Sequence, residues 1–285
     1  MCRKIIIPDT SVMNHLVDDS EYEAIRAALN AAFVVFIPET VIGELVATTD
    51  GEKRSRLLNA SRALISNGQF IHSFAVLVKN MERTFDANPQ QFDWRRTPIQ
   101  FHEAGSYLAH NIVSDEISEQ QRLQSQTLLA DWITPFRRMG EHLTNVIEER
   151  GLERPSLDEA MTGFVRDGGS FWIWARMLYW RDDRSEADEQ TVRAFVEVCP
   201  PFRVMLTALL IAQYDRCFRD INLEGSLRAG RCDTLMSFFL PYCDVFLTDD
   251  IRHEALFRET IRFARVPCEV MSLEKFRASF MPSIL

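Results

Sequence analysis

Several signals that would classify this chain quickly are missing. Its six cysteines form no CxxC pair and no zinc-type spacing, which speaks against a zinc ribbon or a disulfide scaffold. Cys199, Cys217, Cys232 and Cys243 fall at core-like positions, so reduced thiols in a cytoplasmic protein are expected. No apolar run is long enough to span a membrane. FWIWARMLYW and VMLTALLIA reach about half the needed length, and Arg176 interrupts the first. The apolar run before Asp9 is too short for a secretory leader, and no membrane association is expected. His72, His102, His110 and His142 show no metal-like spacing. Positive charge is also short: 32 Lys and Arg face 41 Asp and Glu, a net charge of −9. That balance disfavours a general nucleic-acid coat or a binder of anionic membranes. It still permits an enzyme that gathers its acids in one cleft and its arginines around the rim.

What is present begins as an α/β pattern. KIIIP, residues 4–8, reads as a short buried strand that stops at Asp9. Helical spacing follows over 12–32, through Met13, Leu16, Val17, Ile25 and Leu29. FVVFI, residues 33–37, reads as a second buried strand. Pro38 closes it and opens the helix PETVIGELVAT, which carries Glu44 about a turn and a half inside. This alternation predicts a central parallel sheet. From about 50 to 225 no strand pair is evident, and turn signals such as Asn88-Pro89, Gly168-Gly169 and Pro200-Pro201 divide a helical stretch. The aromatic segment FWIWARMLYW there reads as a core-facing helix rather than a base-stacking platform. The α/β pattern returns with a helix from Cys232 or Asp233 through Phe239, a strand over 245–248, and a helix over Ile251–Phe263. PCEVMSLEKF then reads as an edge strand and a short helix. The expected organisation is a discontinuous α/β domain, 1–50 and 226–285, holding a helical insertion over 51–225.

In such a sheet, ligands bind beyond the carboxyl ends of the strands. Asp9 lies at one such end, and Asp249 and Asp250 lie at another. Asp233 sits at or just before a helix start, and Glu44 projects back from the helix after the second strand. These acids would repel one another unless a cation joined them. Hard dications take oxygen ligands, and Mg²⁺ uses a few carboxylates while keeping waters. Such an ion activates water and clamps phosphodiester oxygens. Arg228, Arg231 and Arg252 flank the acids in sequence and are the candidates for holding substrate phosphates.

The ordered motifs IIIPDTS, VVFIPETVIGELVA, CDTLMSFFLPYCD and VFLTDD resemble those of the PIN-domain family of metal-dependent nucleases. The resemblance covers roughly 1–50 and 226–276. It implies a PIN-like three-layer α/β/α fold, with the long helical middle as a departure from small members. It implies Asp9, Glu44, Asp233 and Asp250 as catalytic, Mg²⁺- or Mn²⁺-binding acids, with Asp249 in the x position of Thr-x-Asp as an assisting ligand. Thr10, Ser11 and Thr248 become hydroxyls that orient the carboxylates. The implied activity is endoribonucleolytic hydrolysis of RNA, with a protein partner or a second copy of the chain as a further possibility. The alternative is a PIN-like protein that binds RNA or protein without cutting. A haloacid-dehalogenase phosphatase is disfavoured because Ser11 stands where its second Asp belongs. A response-regulator receiver is disfavoured because no matching Lys follows a late strand.

Overall fold

The computed structural model describes residues 3–65, 69–99, 114–124, 155–166, 169–179, 187–218 and 234–281, with the single positions 141, 145, 149 and 153. Five strands form one parallel sheet: β1 (Lys4–Pro8), β2 (Phe33–Pro38), β3 (Gln69–Ile71), β4 (Val245–Leu247) and β5 (Glu269–Met271), in the order β3-β2-β1-β4-β5. Register is set by Ile5 opposite Val34, Ile7 opposite Phe246, Ile37 opposite Phe70, and Phe246 opposite Val270. Ile6, Ile7, Ile37, Phe246 and Leu247 are fully buried. Parallel strands lie between helices, so both faces of each must be apolar, which is why these segments read as unbroken hydrophobic runs.

Four of these strands match the sequence reading. β3 corrects it, because the stretch expected to be entirely helical contributes an edge strand paired with β2. Only three residues long, QFI carries too little alternation to announce itself. The helical stretch over 12–32 is also two helices, α1 (Thr10–Asp18) and α2 (Tyr22–Ala32). Between them Asp19 turns extended, and its carboxylate accepts from Glu21 N–H.

After β2 come α3 (Glu39–Val46) and α4 (Gly51–Leu64), the latter capped by Asp50, which accepts from Glu52 and Lys53 N–H. α1, α2, α3 and α4 pack on one another. Beyond β3 the described helices are α5 (Phe74–Ala87), a segment over 115–124, α6 (Leu157–Arg166), α7 (Gly169–Leu178), α8 (Glu189–Val198) and α9 (Pro200–Phe218). The C-terminal part adds α10 (Ile251–Ala264) and α11 (Leu273–Phe280). Of the helix expected through Phe239, the described residues 234–236 are helical and continue as a 3₁₀ segment, Ser237–Tyr242, with Pro241 inside it. The arrangement is compatible with a three-layer α/β/α fold.

α9 joins the two parts of the chain. Val204, Met205, Leu206, Leu209, Leu210 and Ile211 are all buried. The helix packs against α6, α7 and α8 on one side and against the 3₁₀ segment and α10 on the other. The helical middle therefore shares the hydrophobic core of the sheet. α7 turns Phe171, Trp174 and Ala175 inward, as the sequence suggested, and Trp174 Nε1 donates to Gln213 Oε1 of α9 at 2.9 Å. Cys199 and Cys243 are buried free thiols, as is Cys268, whose Sγ lies 3.6 Å from that of Cys243. Burial pushes the Cys199 thiol up to about 12 and the Cys243 thiol well above its ordinary value, so both are held protonated. Cys232 and the Cys217 side chain lie outside the described residues. Among the described residues no single helix is long and apolar enough to cross a membrane; α8 and α9 together reach the length but bend by 104° at Cys199.

Candidate functional site

The strand order places the site. The chain runs outward from β1 to β2 and β3, then returns to lay β4 on the other flank of β1. Crossovers leave β1 and β4 in opposite directions, which opens a crevice at their carboxyl ends. Asp9 follows β1, and Asp249 and Asp250 follow β4. The ladder carries on into the crevice, where Asp9 N–H donates to Leu247 C=O at 2.9 Å.

Asp9 is 6% exposed and caps α1. Its Oδ1 accepts from Val12 N–H at 2.9 Å and from the Ser11 hydroxyl at 2.6 Å. Its Oδ2 accepts from the Thr248 hydroxyl at 2.6 Å. Thr248, fully buried, also accepts at Oγ1 from Asp250 N–H at 3.2 Å. One hydroxyl thus couples the two loops. Asp250 caps α10, with Oδ1 accepting from Arg252 and His253 N–H. Two helix N-termini therefore open at this crevice, each presenting the positive end of its dipole.

Glu44, half-buried on α3, accepts through Oε2 from the Thr10 hydroxyl. This bond ties α3 to the first turn of α1. The helical segment over 115–124 lies beside the same end of α3. Arg54 Nη2 donates to Asp115 at 2.6 Å, the Ser118 hydroxyl donates to Thr48 C=O at 3.1 Å, and the Gln121 amide rests against Gly43. At Gly43 a side chain would meet that amide at 3.0 Å.

Asp249 turns away from its neighbour, as successive side chains on extended backbone do. Its Oδ1 accepts from Leu273 N–H at 2.8 Å, and its Oδ2 lies 2.7 Å from His15 Nδ1. The carboxylate is committed to α11 and α1, while its N–H donates to the Ser11 hydroxyl at 2.9 Å.

The sequence reading passed over two histidines found here. His253, in the first turn of α10, is buried and stacks on Phe257. Its Nδ1 lies 3.9 Å from both Asp9 Oδ2 and Asp250 Oδ2. The i,i+3 pairing of Asp250 with His253 in one helical turn was the available signal. His15 offered none, because its partner stands 234 residues away.

Asp9, Ser11, Thr248, Asp249 and Asp250 are thus joined by hydrogen bonds, and Thr10 with Glu44 forms a pair attached to them through the first turn of α1. Arg252 is exposed at its rim. Asp233, Arg228 and Arg231 lie outside the described residues. Asp9 and Asp250 offer the oxygen donors a hard dication prefers, and Asp250 Oδ2 accepts no hydrogen bond within the described residues. Among the described residues no group of three or more His, Cys, Asp or Glu side chains stands close enough together to hold an ion. Carboxylate oxygens of this kind are the donors that Mg²⁺ or Mn²⁺ would take, and of the five acids singled out in the sequence only Asp233 is outside the described residues. Comparisons with protein-family models, curated proteins and solved structures return no match.

Proposed function

We propose that the chain is a PIN-like endoribonuclease that hydrolyses RNA phosphodiester bonds with Mg²⁺ or Mn²⁺. One observation supports this reading above the others. Asp9 and Asp250, brought from opposite ends of the chain to the crevice between β1 and β4, are coupled through the Thr248 hydroxyl. Structural caps alone do not require a buried hydroxyl joining two of them.

In this reading Asp9 and Asp250 hold the dication, with Glu44 and Asp233 completing its shell. The bound ion supplies an activated water and neutralises charge on the phosphodiester. The chain's own groups position the reactants. The Ser11 hydroxyl and the Val12 N–H fix Asp9 Oδ1, so that Oδ2 keeps one orientation. Thr10 fixes Glu44. The N-termini of α1 and α10 favour an incoming phosphate. Arg252 at the rim, with Arg228 and Arg231, contacts neighbouring phosphates.

The test is cleavage of single-stranded RNA with Mn²⁺ by the wild-type chain and by Asp9→Asn. Equal rates would remove the assignment.

A second reading, a PIN-like protein that binds RNA or a protein partner without cutting, is favoured by the net charge of −9 and by the long helical middle of the chain. Thermal melting with and without Mn²⁺ separates the two. A shift that disappears in Asp233→Asn supports a working metal pocket, and no shift in the wild type supports the binder.

A further inference from the structure

Among the described residues, Cys243 and Cys268 are thiols in mutual contact. Their Sγ atoms lie 3.6 Å apart, whereas Cys199 faces the Met81 thioether at 3.4 Å. The two cysteines stand 25 positions apart, at the amino ends of neighbouring strands, Cys243 shortly before β4 and Cys268 directly before β5. The backbone is pinned beside both, because Glu269 N–H donates to Asp244 C=O at 2.9 Å. Parallel pairing thus holds the sulfurs together, and a disulfide at about 2.0 Å is reached by turning the two side chains. Both thiols are buried, yet neither is deep. Asp244 after Cys243, and Pro267 and Glu269 around Cys268, are exposed. β5 is a three-residue strand at the sheet edge, the kind of element that opens locally before the core does.

We propose that Cys243 and Cys268 are a redox modification site, joined by a peroxide into a reversible disulfide that fastens the edge strand β5 to β4. Cys268, flanked on both sides by exposed residues, meets the oxidant first. Its sulfur attacks one peroxide oxygen, the O–O bond breaks, and a sulfenic acid forms as water leaves. The Cys243 sulfur then displaces that hydroxyl, which departs as water with the Cys243 thiol proton, and the S–S bond forms. Two thiols are oxidised and one peroxide is reduced to two waters. Burial holds Cys243 protonated, so the closed pair reacts slowly and oxidation proceeds through openings of the β5 edge. The link closes the stretch 243–268, which carries β4, Thr248, Asp249, Asp250 and α10. A chain closed in this way has fewer unfolded conformations, so the oxidised form is the more stable one. The proposal stands whether or not the chain cuts RNA.

The test treats the full chain with hydrogen peroxide, blocks the remaining free thiols in denaturant, and sequences unreduced tryptic peptides by tandem mass spectrometry. The expected product joins CDTLMSFFLPYCDVFLTDDIR to VPCEVMSLEK, with fragment ions that place the link on Cys243 rather than on Cys232. The oxidised chain is expected to melt about 5 °C above the reduced one, and dithiothreitol removes the difference. Cys268→Ala forms no link and shows no rise. A link from either thiol to another cysteine overturns the proposal. So do thiols that both stay open to alkylation, or that stop at sulfinic acid. A rise that persists in Cys268→Ala, or the expected link without any rise, overturns it as well.

Discussion

Thr248 and Asp9, 239 residues apart, share a 2.6 Å hydrogen bond in which both partners are buried. Thr248→Val keeps the shape and removes the hydroxyl, leaving Asp9 Oδ2 without its donor and Asp250 N–H without its acceptor. The expected loss of stability is about 1–3 kcal/mol, read from urea unfolding. Cleavage falls as well. Thr248→Ser, which retains the hydroxyl, restores most of both.

Asp250 combines a helix cap with a site carboxylate, and the two roles separate by substitution. Asn still presents an oxygen to Arg252 and His253 N–H, so Asp250→Asn is expected to stay within about 0.5 kcal/mol of the wild type. Cleavage by the same variant falls roughly 100-fold or more, the scale of losing a charge-stabilising group. Asp250→Ala loses the cap too and unfolds about 1 kcal/mol earlier. Parallel unfolding and cleavage assays on the two variants check this.

Arg262 of α10 donates to Asp158 of α6 at 2.7 Å, bridging the C-terminal part and the helical middle of the chain. The bond to Arg262 holds the Asp158 carboxyl below its ordinary value. A carboxyl lowered by folding stabilises the fold above its unfolded pKa, and that contribution disappears as pH drops through the folded pKa. The wild type should therefore be more stable than Asp158→Asn at neutral pH, with the gap closing in acid. Both groups are solvated, so added salt should shrink the gap as well. Melting curves across pH and salt measure it. A gap that widens in acid contradicts the assignment.

The strands that formed continuous β-branched runs, such as IIIP and FVVFIP, were legible in the sequence because a parallel strand buries both faces. β3 was not, since three residues carry no period. Asp9 and Asp250 were legible because each ends an apolar run and opens a helix. The divergence of Asp249 from Asp250 was not. Adjacency in sequence says nothing about which way each carboxylate turns, and what holds Asp249 is a backbone N–H in α11 and a histidine in α1. His253 was overlooked for a similar reason, because its place between two carboxylates depends on β1 and β4 lying side by side. The burial of α9 on opposite sides likewise follows from tertiary packing, which a one-sided helical pattern does not reveal.

The seating of β1 between β2 and β4 also dictates the order of events at birth. As the chain leaves the ribosome, β1 can pair early with β2, but its other edge stays bare until β4 has emerged. Long-range parallel pairing of this kind is slow to close, and an open strand edge invites foreign strands. Asp9 and Asp250 cannot meet before that late closure, so a nascent chain holds no assembled crevice. Assembly of the crevice thus waits on β4, and until then the open edge of β1 is where a folding helper has most to protect.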